Sequence, residues 1–145
     1  MYDAGVQSLL TKLLDGRTLL LAVAAPVEVR GVFAGLGRTD TPVPGLWEVV
    51  EVGPQVHLLH TGVSKANAAG SLGCVLRDGH PYGGIVSVGI AGALPGGGLQ
   101  VGHAVTATEC VFGDEGLQSE TGFQTLAKMG FPLDPSLGSA ELIPT

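Results

Sequence analysis

Along the chain the apolar positions change their spacing repeatedly, and each change predicts an element. Val6, Leu9, Leu10, Leu13 and Leu14 recur three and four apart, one face of a short helix over residues 1–17 that ends near Gly16. From 18 to 25 the run TLLLAVAA is apolar throughout, as in a central strand covered on both faces. Pro26 then opens a helix over 27–35, in the first turn, where a missing N–H costs little. Residues 36–45 carry Gly37, Pro42, Pro44 and Gly45 and read as a loop. LWEVVEV and QVHLLHT flank Gly53-Pro54 and predict an antiparallel hairpin.

The clearest helix follows. Ala68, Ala69, Leu72, Val75 and Leu76 share a face between Ser64, which can cap the start, and Gly79 with Pro81, which stop it after Asp78. Gly70 and Gly73 weaken this helix but permit close packing. Residues 84–90 predict another buried strand. Residues 103–112, with Thr106, Thr108 and Val111, predict a further one. Beyond Gly116 no strong period remains.

Composition narrows the class. The chain has 145 residues, enough for one domain, with 24 glycines and only 5% aromatics, so its core is built from Val, Leu, Ile and Ala packed against backbone. That suits an α/β architecture, with 1–17 as an N-terminal helical extension and 18–145 as the α/β domain. The formal net charge is -6 and no basic cluster occurs, which disfavours nucleic acid and anionic membranes as partners. Two cysteines, Cys74 and Cys110, lack any disulfide framework or metal-ligand spacing, so a reducing cytoplasm is expected. Cys110, inside a predicted strand, reads as a small core residue. Lys12 and Arg17 before TLLLAVAA resemble a secretory leader, but the apolar run is short and Pro26 would hinder cleavage.

Three loops fall at the carboxyl ends of predicted strands: 24–28, 61–65 and 89–92. In open α/β sheets that edge binds ligands, so the three can share one crevice. Glu28, in the first turn of a helix after an apolar strand, can hold and polarise a water as a general base. A surface Glu that merely compensates the helix dipole fits the same spacing and is the commoner arrangement. Gly62 and Ser64 can present free backbone N–H groups to an anion or a sugar hydroxyl, or form an ordinary strand-to-helix turn. Gly89, Ala91 and Gly92 would let a flat ring or ribose lie on the backbone, or simply permit a tight turn. No phosphate-loop, dinucleotide-loop or nucleophile-elbow motif is present. His57 and His60, three apart on a strand, point to opposite faces and do not form a metal pair. Neither a metal nor a cofactor is expected.

Taken together, AAPVE (24–28), TGVSKANAA (61–69), SVGIAGAL (87–94), LQVGHAV (99–105) and VFGDEG (111–116) resemble the nucleoside phosphorylase and nucleosidase superfamily. VGIAGAL followed by GDEG is most similar to its futalosine hydrolases. The resemblance, spanning about residues 19–135, implies a three-layer α/β/α sandwich with a mixed central sheet, corresponding to the amino-terminal part of the family's fold and incomplete at the C-terminus. It implies hydrolysis of futalosine to hypoxanthine and dehypoxanthine futalosine, a step toward menaquinone, and a homo-oligomer in which a neighbour helps close the pocket. By matching positions, Glu28 activates the attacking water, Ala24 and Val63 line the ribose and water pocket, and Ile90, Ala91 and Gly92 form the base and ribose platform.

Departures from the family pattern matter. Its acid lies in a Ser-Asp segment, after a Met-Glu segment that holds the ribose hydroxyls, and neither dipeptide occurs in these 145 residues. Ser64 stands where the family usually has Gly, and His103 where it usually has Asp. A non-catalytic purine-binding or partner-dependent module therefore stands as an alternative, as does another nucleosidase, such as one acting on methylthioadenosine or S-adenosylhomocysteine.

Overall fold

The computed structural model describes Ser8, residues 11–77, Gly79, and residues 82–126, 128–131 and 142–144. Contacts divide the chain into one unit of Met1–Gly92 and a second of Ala93–Thr145.

In the first unit the apolar run becomes β1 (Thr18–Val23), followed by α1 (Pro26–Gly35) with Pro26 in its first turn. The predicted hairpin is β2 (Val49–Gly53) and β3 (Val56–His60), paired antiparallel, with Gln55 in the turn at φ 57. Next come α2 (Lys65–Arg77) and β4 (Tyr82–Val88). The four strands form one sheet of order β2-β3-β1-β4, in which β1 runs parallel to both β3 and β4. The fold is thus α/β with a mixed sheet.

Alternation along the strands decides what is buried. Val23 on β1, Val52 on β2, and Val56 and Leu58 on β3 close a core with Val29 and Phe33 of α1, and Leu19, Leu21 and Val88 pack around it. On the opposite face Leu20, Ala22 and Leu59 are also buried, as the unbroken apolar run of β1 requires.

The expected buried strand over 84–90 is shifted to 82–88, and its Ile85, Val86 and Ser87 are exposed. β4 ends the described sheet, so its side chains are walled by β1 on one side alone. Helix α2 stops where predicted: Gly79 takes φ 78 and its N–H donates to the Leu76 carbonyl. Asp78 and Pro81 lie outside the described residues. The predicted N-terminal helix does so in large part; residues 11–13 are helical, the chain turns at Asp15–Gly16, and Leu14 is buried while Leu13 is exposed.

The second unit is built of short antiparallel pairs. β5 (Glu109–Val111) pairs with β8 (Leu142–Pro144), and β6 (Gly116–Ser119) with β7 (Gly122–Thr125). The strand expected over 103–112 is therefore only its last part. Residues 101–108 are exposed and form no strand. Cys110, expected in the core, is exposed on β5. Among the described residues no helix is long and apolar enough to cross a membrane.

Candidate functional site

Connections leave β1 and β3 in opposite directions: β1 leads through α1 to β2 and β3 on one side, and β3 leads through α2 past β1 to β4 on the other. The carboxyl end of β1 is where they diverge, the position at which open α/β sheets form a crevice. Ala24, Ala25 and Glu28 lie there.

Glu28 ties two strand ends together. Its Oε2 accepts the Ala25 N–H at 2.9 Å, closing the first turn of α1 on itself, and its Oε1 accepts the Ile90 N–H at 2.8 Å from the loop after β4. One carboxylate thus both caps the first turn of α1 and reaches the loop after β4. Each oxygen retains a second lone pair, so the half-buried group can still receive a hydrogen bond from water.

This arrangement explains one of the glycines after β4. A Cβ on Gly89 would stand 2.7 Å from Glu28 Oε1 and 3.2 Å from its Cδ, closer than carbon and oxygen approach without a bond. The side chain is excluded by the carboxylate itself. At Gly92 nothing lies within 4 Å of that position.

The third strand end joins through β3. Thr61 donates its N–H to the Val23 carbonyl at 2.9 Å, holding the β3–α2 turn beside the end of β1. Gly62 and Ser64 in that turn take φ 83 and 107. Ser64 caps α2 as predicted: its Oγ accepts the Asn67 N–H at 3.3 Å and its carbonyl the Ala68 N–H. Of the proposed pocket residues Ala24 is half-buried, whereas Val63, Ile90, Ala91 and Gly92 are exposed. Glu28 and Ile90 are brought into direct contact. Val63 sits one strand over, in the adjoining turn.

Both histidines have structural partners. His57 Nδ1 lies 3.0 Å from the Tyr82 hydroxyl, with the two rings edge to face. His60, buried, bonds through Nδ1 to the Pro44 carbonyl at 2.8 Å; a carbonyl only accepts, so that nitrogen carries the proton. Among the described residues no group of three or more His, Cys, Asp or Glu could hold a metal ion. A cavity of about 300 Å³ lies elsewhere in the first unit, lined by Phe33, Arg38, Thr41, Val43, Pro44 and Val50 among others, and includes none of the strand-end residues.

One neighbour of the site has no counterpart among the residues expected from sequence. Trp47, just before β2, donates its N–H to the His60 carbonyl at 2.7 Å and its indole Nε1–H to Asn67 Oδ1 at 3.4 Å. Its ring lies where a Cβ on Gly70 would be 2.9 Å from the Cη2 carbon, which explains a glycine inside α2. A lone Trp before a strand gives no periodic signal. No protein-family model matches the chain, and no curated protein and no solved structure matches it either.

Proposed function

We propose that the chain carries the water-activating half of an N-ribosyl hydrolase site of the futalosine hydrolase type, on a three-layer α/β/α sandwich in which α2 covers the sheet face opposite α1. The observation that supports it is the 2.8 Å bond from the Ile90 amide to Glu28, which sets a carboxylate at the end of β1 directly beside the exposed Ile90–Gly92 backbone. Ser64 adds support. It stands where the resembling family usually has Gly and holds φ 107, in the region glycine favours.

In this reading the purine lies on Ile90, Ala91 and Gly92, and Ala24 and Val63 flank the ribose. Water bound to Glu28 attacks the anomeric carbon as the bond to the purine nitrogen breaks; the carboxylate takes the water's proton and stabilises the oxocarbenium-like charge. The purine leaves with the bonding electron pair as its anion and takes a proton from solvent water, which makes release slow. The substrate class is a purine nucleoside, futalosine first, which would place the reaction toward menaquinone in the cytoplasm, with a second copy closing the pocket.

A second reading, a purine-binding module without turnover, fits the same platform: Ile90, Ala91 and Gly92 are exposed beside Glu28, whose two carboxylate oxygens are already held by the Ala25 and Ile90 amides. Calorimetry with hypoxanthine and chromatography of hypoxanthine released from futalosine separate the two. We expect purine binding, slow release, and a further loss of roughly 10²-fold or more in release for Glu28→Gln with binding retained. Binding with no release at all selects the module. A chain that does not bind purine, or that releases it equally well as Glu28→Gln, refutes the proposal.

A further inference from the structure

We propose that the cavity of about 300 Å³ lined from α1, the loop over residues 36–45 and β2 is a second small-molecule site, which takes a free α-amino acid with an apolar side chain, such as leucine. It shares no residue with the strand ends, so it does not depend on the nucleoside reading.

Local sequence builds the walls. Gly37, at φ 70, ends α1: its N–H donates to the Ala34 carbonyl at 3.0 Å and the Arg38 N–H to the Phe33 carbonyl at 2.8 Å, a turn that carries the chain off the helix toward β2. There β2 ends the described sheet, and Arg38 Nη1 donates to the Glu51 carbonyl at 3.0 Å. Farther along the loop, the His60 ring holds the Pro44 carbonyl at 2.8 Å, and Glu48 Oε2 accepts the Gly45 N–H at 2.6 Å. The loop is thus pinned to the sheet near both of its ends, and the space it encloses is formed in advance of any ligand.

The lining combines an apolar floor with one charge of each sign. Phe33, which is buried, and Val50 and Val52 of β2 form the floor, with Val43 from the loop. Glu48, just before β2, continues the row of Val50 and Val52 by alternation. Among the described residues the Arg38 guanidinium makes only its bond to the Glu51 carbonyl, so its other N–H groups can donate to a ligand. Glu48 Oε1 is likewise unengaged. A ligand carrying only negative charge would be repelled by Glu48, and one carrying only positive charge by Arg38. A zwitterion satisfies both: the α-carboxylate meets Arg38, the α-ammonium meets Glu48, and the apolar side chain covers the floor. A volume of about 300 Å³ is at the lower limit of small-molecule pockets, which suits a single amino acid.

The test is calorimetric titration of the full chain with L-leucine and with three relatives that each lack one part: glycine the side chain, 4-methylpentanoate the ammonium, and leucinamide the carboxylate. We expect leucine to bind at one site per chain. Each relative should bind about tenfold more weakly or worse, the effect of losing one charged hydrogen bond or one buried aliphatic side chain. Arg38→Gln, which keeps a donor for the Glu51 carbonyl, should weaken leucine by about tenfold and leave leucinamide nearly unchanged. Glu48→Gln, which keeps an acceptor for the Gly45 N–H, should weaken leucine in the same way and leave 4-methylpentanoate no weaker. A variant that merely unfolds would lose every compound alike, and the wild-type series decides the matter without it. Absence of saturable leucine binding, a relative that binds as tightly as leucine, or a folded Arg38→Gln or Glu48→Gln chain that binds leucine like the wild type overturns the site. None of these titrations involves a purine, so such a result leaves the nucleoside reading in place.

Discussion

Replacing Gly89 by alanine isolates the contact on which the site depends. Gly89 does not occupy the left-handed region, so its backbone accepts an L-residue. On that ground alone the change would stabilise the protein by about 0.4–1 kcal/mol, through a less flexible unfolded chain. The new methyl, however, would stand 2.7 Å from Glu28 Oε1. The carboxylate must swing away, losing the Ile90 N–H and straining the Ala25 N–H bond, each worth about 1 kcal/mol at a partly exposed site. The net expectation is a loss of about 1 kcal/mol. In a Glu28→Ala background there is no carboxylate to displace, and the same substitution should stabilise by roughly half a kcal/mol. The two single changes and the double change, compared by urea unfolding, therefore form a cycle with an expected coupling of about 1–2 kcal/mol and a reversal of sign. If Gly89→Ala has the same effect in both backgrounds, within about 0.5 kcal/mol, Glu28 does not occupy the space beside β4 and the site as described is refuted.

Two further outcomes follow from the backbone and from burial. Ser64→Gly should stabilise the chain by roughly 0.5 kcal/mol: relief of φ 107 is worth about 1–2 kcal/mol, against a few tenths for the lost cap on the Asn67 N–H and about 0.4–1 kcal/mol for a more flexible unfolded chain; a lower urea midpoint would contradict this. Burial raises the Tyr82 pKa above 10.0, so the folded chain keeps a proton that the unfolded chain releases. Its contribution is complete below pH about 10 and lost as pH rises through the folded-state value, and Tyr82→Phe should flatten that alkaline fall in the urea midpoint measured from pH 8 upward.

What could be read from sequence was what local chemistry and a single buried face decide together. TLLLAV forms a strand because both faces of β1 are covered, and the last two residues of the apolar run, Ala24 and Ala25, lead instead into α1, which begins at Pro26 with an acidic residue at its third position. The same reasoning overreached at 103–112, where Thr106 and Thr108 are exposed and lie outside any strand, and at β4, which ends the described sheet. The hairpin of β6 and β7 was missed because its apolar positions, Leu117 and Phe123, are too few to set a period, although Glu120-Thr121 before Gly122 offered a turn.

The candidate site divides along the same line. Glu28 could be placed at a helix start by its spacing, but its reach to Ile90 joins residues 62 apart, and only strand order brings them together. Trp47 was invisible for the opposite reason: its neighbours Asn67 and Gly70 are on another element, and its conformation depends on them rather than on the residues beside it. Both cases turn on a glycine. Gly89 leaves room for the Glu28 carboxylate and Gly70 for the Trp47 ring, so in sequence each appeared only as a flexible position, whereas in the fold each is the imprint of a particular side chain from elsewhere. The positions that most constrain the site are thus the ones that carry no side chain. A substitution there acts on Glu28 and Trp47 without altering either residue.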